Sequence, residues 1–321
     1  KQFLEPQKKK ACSFERIYFS RGTDPDIYRE RKELGRLMVP QVLKSINFDL
    51  KNTVFSYIPN TAEISFLGMM SGVEDYLISK RKEIIIDHKP SADSLEDLLT
   101  FKPRIEKLVL KDAKLRTFIA DASHRDELVA HVYDTTFEVI QKDRDSLVII
   151  DDSIVRGTTL EKSILTLLDN LNPKKIVIIS SAPQIRFPDC YGIDMSKMKD
   201  FVAFRAVLAL LIDEGKEYLL EDVLEKCLAD QNKVNEVNYV KELYAPFSYD
   251  QVSQKIGEIV KPKKMKAVLE VVFQTVEGLH KACPDHLGDW YFTGDYPTKG
   301  GNSVVNTAFI NFMKGVEVRA Y

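Results

Sequence analysis

The chain has 321 residues, 44% of them hydrophobic and 29% charged, with a formal net charge of −2. That length suits one large α/β domain or two ordinary ones, and the charge balance gives neither the global basic field of a nucleic-acid binder nor an acidic tail. No run approaches the roughly 18 apolar residues of a membrane-spanning helix, and the start, Lys1 to Lys10, lacks the apolar stretch of a signal peptide, so the expectation is a cytoplasmic protein with no nucleic-acid or membrane partner.

In chain order, residues 14–19 read as a short strand. Residues 26–46 have helical periodicity, bent or ended near Pro40. Residues 53–58 predict a strand stopped by Pro59, and 61–80 a helix with apolar spacing at Ile64, Leu67, Met70 and Val73. A Pro/Ser/Asp stretch leads to a short helix at 95–99, then a strand at 105–110 and a helix at 124–141. Residues 147–151 and 175–180 are strands of the doubly buried kind. The helix 159–171 lies between them and is closed by Asn172-Pro173. Residues 197–229 and 237–279 turn mostly helical. Strands alternating with helices predict a parallel sheet flanked by helices. The expected organisation is an entry segment over 1–25, a core over 26–195, and a mostly helical region over 196–321 packed on that core.

The four cysteines, Cys12, Cys190, Cys227 and Cys283, form no C-x-x-C pair, which argues for free thiols in a reducing compartment. The chemistry concentrates in one segment, Val148-Ile149-Ile150-Asp151-Asp152-Ser153-Ile154-Val155-Arg156-Gly157-Thr158-Thr159. A buried strand delivers two carboxylates at its carboxyl end, where open α/β sheets bind ligands. A short loop then opens a helix, whose unpaired N–H groups and positive dipole end suit an anion. Gly157 lets the backbone approach closely, and Thr158 and Thr159 add hydroxyls. The acids repel that anion and suit adjacent hydroxyls or a cation, so the pattern asks for one ligand with a phosphate beside a diol. A ribose 5-phosphate has that shape. The rival phosphate motifs, G-x-x-x-x-G-K-[ST] and G-x-G-x-x-G, do not occur.

This segment resembles the phosphoribosyl-pyrophosphate motif of type I phosphoribosyltransferases, and in detail it is similar to the glutamine amidophosphoribosyltransferase family. Collinear stretches carry the same resemblance: residues 11–21, Ile58-Pro59-Asn60-Thr61, Arg116-Thr117-Phe118-Ile119, residues 182–188, Tyr191-Gly192-Ile193-Asp194-Met195, and residues 292–298. The resemblance implies that ammonia displaces pyrophosphate from 5-phosphoribosyl 1-pyrophosphate to give phosphoribosylamine. It further implies that Asp151 and Asp152 hold the ribose hydroxyls and the Mg²⁺ shell, with Thr61 near the metal or pyrophosphate. Arg156, Gly157, Thr158 and Thr159 would cradle the 5-phosphate, Ser153 would also touch substrate, and Arg116 would act in catalysis from a loop that closes over the substrate. A homo-oligomer is implied as well.

Departures from the family temper this. The glutaminase half has no counterpart here, so that half is missing from this chain or supplied separately, and ammonia is the expected nucleophile. Some members hold an iron–sulfur cluster on four cysteines. Cys12 matches one position, Cys190 is one residue out of register, and the late Cys-x-x-Cys is Gly288-Asp289-Trp290-Tyr291, so no cluster is expected. Lys111, Lys114, His124 and Arg125 supply charge around Arg116 in an unmatched register, and Asn60 replaces a carboxylate. Two alternatives stay open: a phosphoribosyltransferase with another acceptor, and a non-catalytic regulatory module that binds phosphoribosyl pyrophosphate.

Overall fold

The structure is a computed structural model that describes residues 10–111, 133–136, 138–190, 195–230 and 237–320. Helices α1 (Pro25–Leu37) and α2 (Val39–Ser45) lead into strand β1 (Thr53–Tyr57) and the long helix α3 (Glu63–His88). Helix α4 (Ala92–Thr100) and strands β2 (Arg104–Ile105), β3 (Val109–Lys111) and β4 (Tyr133–Thr135) follow. Strand β5 (Ser146–Asp151) is joined by a wide helical turn, Leu160–Ile164, and helix α5 (Leu165–Asp169) to strand β6 (Lys175–Ser180). The rest of the described chain supplies α6 (Val202–Asp213), α7 (Tyr218–Asp230), α8 (Lys241–Tyr244), α9 (Tyr249–Val260), β7 (Val268–Phe273), α10 (Val276–Ala282), α11 (Trp290–Thr293) and α12 (Lys299–Met313).

Five strands form a parallel sheet in the order β2-β1-β5-β6-β7, while β3 and β4 form a separate antiparallel pair. Alternation along the central strands sends side chains to two separate cores. Phe55, Val148, Ile150, Val177 and Ile179 pack beneath α2 and α3, whereas Val54, Leu147, Ile149, Ile176 and Ile178 join the larger core with residues of α5, α6 and α9. Covering on both faces explains why β5 and β6 read as unbroken apolar runs. Each such fully buried side chain contributes roughly 1.5–3 kcal/mol, so the sheet centre is a rigid platform. Helices α1 and α3 cross closely: a Cβ at Gly35 would lie 1.7 Å from the Ser65 carbonyl oxygen, and one at Gly68 would lie 1.8 Å from that of Lys32.

Three expectations need correction. Residues 14–19 are helical, not extended. Glu15–Phe19 forms a wide helical turn closed by Ser20 N–H donating to the Glu15 carbonyl at 2.9 Å, because Phe14 and Ile17, three apart, share one buried side. Tyr133–Thr135, inside the stretch expected to be a helix, is a strand. Val268–Phe273, inside the second stretch expected to be mostly helical, is the fifth strand and pairs with β6 along its whole length. Its entry is fixed by the Asp169 carboxylate, which accepts the amides of Lys266 and Ala267. No helix among the described residues is long and apolar enough to cross a membrane.

Candidate active site

The site forms where β1, β5 and β6 end together. Past the strand proper, Ile58 N–H still donates to the Ile150 carbonyl at 2.9 Å, and Ser181 N–H donates to that of Asp151 at 2.9 Å. These bonds hold three loops side by side: Pro59-Asn60-Thr61, whose Pro59–Asn60 peptide is cis, Asp151-Asp152-Ser153, and Ser180-Ser181-Ala182.

Asp151 and Asp152 are partly buried yet not sealed from solvent. The Asp151 carboxylate accepts the Asp152 amide at 2.8 Å. Burial, together with the negative charge of Asp152, holds the Asp151 carboxyl well above the ordinary aspartate range. Burial also raises Asp152, against hydrogen bonds from the Ser153 and Thr61 side chains and the nearby charge of Arg31. The Ser153 hydroxyl donates to Asp152 at 3.0 Å, and the Ser181 hydroxyl donates to the Asp152 carbonyl at 3.2 Å. Thr61, expected near this point from the sequence, is therefore brought onto Asp152. Two acids kept together against their own desolvation and repulsion form a site poised for cations and hydroxyl donors.

The turn expected from the sequence to take an anion follows at once. Gly157 has φ +71, and a Cβ there would meet Val260 Cγ1 at 2.7 Å, so the turn is left-handed over an apolar floor made by Val260 and Val202. The chain enters a helix at Thr158, with Glu161 N–H donating to the Gly157 carbonyl at 3.0 Å. Thr159 is exposed and its hydroxyl makes no capping bond. The turn is braced from the α6 side. Val202 N–H donates to the Val155 carbonyl at 2.8 Å, the Arg205 guanidinium donates to the Arg156 carbonyl at 2.6 Å, and the Arg156 guanidinium lies 3.3 Å from Asp200. Arg156 thus turns its side chain toward Asp200 and leaves its backbone on the loop. Arg116 lies outside the described residues, as do Lys114, His124, Arg125 and Tyr191-Gly192-Ile193-Asp194.

Two residues near the acids were not singled out from the sequence. Arg31 is 4% exposed, donates from Nε to the Arg16 carbonyl at 3.0 Å and from Nη2 to that of Ser20 at 2.8 Å, and acts electrostatically on Asp152. Burial lowers its affinity for a proton, and the charge of Asp152 opposes that shift. A signal existed: Arg31 sits four residues after Ile27 and three before Leu34, on the buried stripe of α1. The second is Tyr18, whose phenol is raised by burial and by the charges of Asp152 and Asp151; reading 14–19 as a strand hid it.

No family model matches the chain. The chain is homologous over most of its length to amidophosphoribosyltransferase. It is 28% identical over 276 residues to that of Lachancea kluyveri, a match covering 80% of this chain and 47% of the relative. The match to the amidophosphoribosyltransferase of Escherichia coli (strain K12) is shorter, 45% identical over 58 residues, or 18% of this chain and 11% of the relative. Among solved structures, glutamine phosphoribosylpyrophosphate amidotransferase from B. subtilis, complexed with ADP and GMP, superposes with a TM-score of 0.53 at 21% identity over 93% of this chain and 49% of that one. The fold, a five-stranded parallel sheet flanked by helices, is therefore that of the matching half of the B. subtilis protein. The chain spans about half the length of these long-matching relatives.

Proposed function

We propose that this chain binds 5-phosphoribosyl 1-pyrophosphate and transfers its phosphoribosyl group to ammonia, releasing pyrophosphate. The observation that carries this reading is the adjacency of two part-buried acids with raised proton affinity to a left-handed glycine turn opening a helix. A sugar phosphate matches both halves: its 5-phosphate takes the turn and helix start, and its vicinal hydroxyls donate to the acids. The homology to amidophosphoribosyltransferase supports the choice of ammonia as acceptor.

The donor set also fits Mg²⁺. Two carboxylates and the Thr61 hydroxyl are hard oxygen ligands, and few protein ligands suffice for an ion that keeps its waters and takes substrate oxygens. When bound, the ion would neutralise the pyrophosphate and make it a better leaving group. The chain's own residues do the rest. Asp151 and Asp152 grip the ribose hydroxyls and face the positive charge that grows on the ring as the C1–O bond breaks. The 5-phosphate cup fixes the distal end, so C1 is presented in one orientation. The ammonia lone pair forms the new C1–N bond, and the surplus proton leaves to solvent.

The test is pyrophosphate release measured with Mg²⁺, 5-phosphoribosyl 1-pyrophosphate and ammonium chloride. Ammonia-dependent release is expected. Binding with no release would make the chain a regulatory module, and release that depends on a nucleobase would change the acceptor.

A further inference from the structure

A cavity of about 220 Å³ lies remote in sequence from the acid pair, between the turn Met198–Asp200 and the C-terminal end of α12. Its inner wall is apolar: Met198 and Ala308 are buried, and Phe312 stacks edge-on against Phe204 with ring centroids 5.0 Å apart. Ser196 is 3% exposed, lines the cavity, and its hydroxyl has no hydrogen-bond partner among the described residues. A buried hydroxyl without a partner is costly to the fold, so a cavity that keeps one is suited to a ligand bringing the missing partner.

The mouth supplies the second half of the recognition. After α12 the chain reverses at Gly315, where Val316 N–H donates back to the Asn311 carbonyl at 2.8 Å. This turn carries Glu317 over the cavity rim, where its carboxylate pairs with Lys199 and lies 3.9 Å from Lys197. The two ammonium groups outnumber the one carboxylate, and the carboxyl of Glu317 is held below its ordinary range by Lys199. Exposed ion pairs of this kind are weak, so a second carboxylate can take the place of Glu317.

We propose that this cavity is a binding site for a small aromatic carboxylate. The acid group replaces Glu317 on Lys199 and Lys197, the ring lies against Met198 and Phe312, and a polar group on the far side of the ring satisfies Ser196. Size agrees, since roughly 150 Å³ is enough for a benzene ring, and the cavity falls below the ~300–1,000 Å³ of sites for drug-sized molecules.

The probes are 4-hydroxyphenylacetate and phenylacetate, titrated onto the whole chain by calorimetry or ligand-observed NMR. The hydroxylated probe should bind with a dissociation constant of roughly 0.1–1 mM, in keeping with a ligand of its size, and several-fold tighter than phenylacetate. Glu317→Gln should tighten both probes several-fold by removing the built-in competitor, and Lys199→Ala should weaken both by a similar factor. Ser196→Ala should abolish the difference between the two probes. Melting curves confirm that each variant is folded. Absence of saturable binding to both the parent chain and Glu317→Gln at millimolar probe overturns the proposal. So does binding that Glu317→Gln weakens or that Lys199→Ala leaves unchanged.

Discussion

The central strands β5 and β6 are near-copies until their last residue. Leu147–Ile150 and Ile176–Ile179 are fully buried, and the strands pair in register up to Asp151 opposite Ser180. There they part. The Ser180 hydroxyl donates to the Ala182 carbonyl at 2.8 Å, so β6 ends in a neutral group that the protein satisfies by itself. Strand β5 ends at Asp151, with Asp152 next in the chain: burial raises the proton affinity of both acids, and the charge of Asp152 raises Asp151 further. Nearly identical apolar runs build the platform; the residues at the rim decide which strand end is satisfied by the protein itself and which carries paired acids.

The sharpest way to break this contrast is to neutralise the acids. Asp152→Asn should lower turnover roughly 100-fold, the scale of losing one preorganised partner of a developing charge, as read by ammonia-dependent pyrophosphate release. Stability should move the other way. Each acid's folded value lies above the ordinary ~3.9, so the folded chain holds protons that the unfolded chain has released. Stability therefore declines as pH rises from about 4 through the raised values, and is freed of this penalty below them. Asp151→Asn keeps the acceptor for the Asp152 amide and removes one charge, so its melting temperature should rise at neutral pH and its decline with pH should flatten. A variant that melts lower at neutral pH and higher in acid would reverse the argument.

Next in size is Gly157→Ala. A left-handed φ costs an L-residue roughly 1–2 kcal/mol, and overpacking adds roughly 1–3, here from the 2.7 Å approach to Val260 Cγ1. The melting temperature should drop by several degrees. In a double-mutant cycle, Val260→Ala should recover the steric part and leave the backbone part. Additive losses would mean that the side chains never meet. The control on the other strand is Ser180→Ala, which should cost about 1 kcal/mol and leave ligand affinity unchanged.

How much of this was legible follows from where the determining physics lies. The β5 segment was readable because an apolar run, two acids and a Gly-Thr-Thr turn are local features, and the structure keeps them in the expected order. Strand β7 was not, because it lies at the sheet edge with Val268 exposed and Glu270 paired to Lys175, and its pairing with β6 is set by chain far away in sequence. Arg31 was missed for a related reason: within Tyr28-Arg29-Glu30-Arg31-Lys32 one arginine in a run of charges looks ordinary, and only the stripe through Ile27 and Leu34 marks it as buried. The bracing of the Gly157 turn by Asp200 and Arg205 depends on α6 folding back onto the loop, which periodicity alone does not report.

The smallest expected effect tests the finest part of the assignment. Thr158 opens the helix, part-buried beside Gly157. Thr158→Val preserves its volume and branching, so the helix start and the left-handed turn keep their shape. What is lost is one hydroxyl. The backbone amides and the helix dipole still face the anion, and a single hydrogen bond to a charged group contributes roughly 1.5–3 kcal/mol, with solvent replacing part of it at this accessible position. The KM for 5-phosphoribosyl 1-pyrophosphate should therefore rise by several-fold while kcat holds, because the 5-phosphate is bound alike in the ground and transition states. If kcat falls and KM holds, Thr158 meets the group whose charge changes during reaction. The left-handed turn would then serve the leaving group, and the acids of β5 would lie on the wrong side of the sugar to grip its diol.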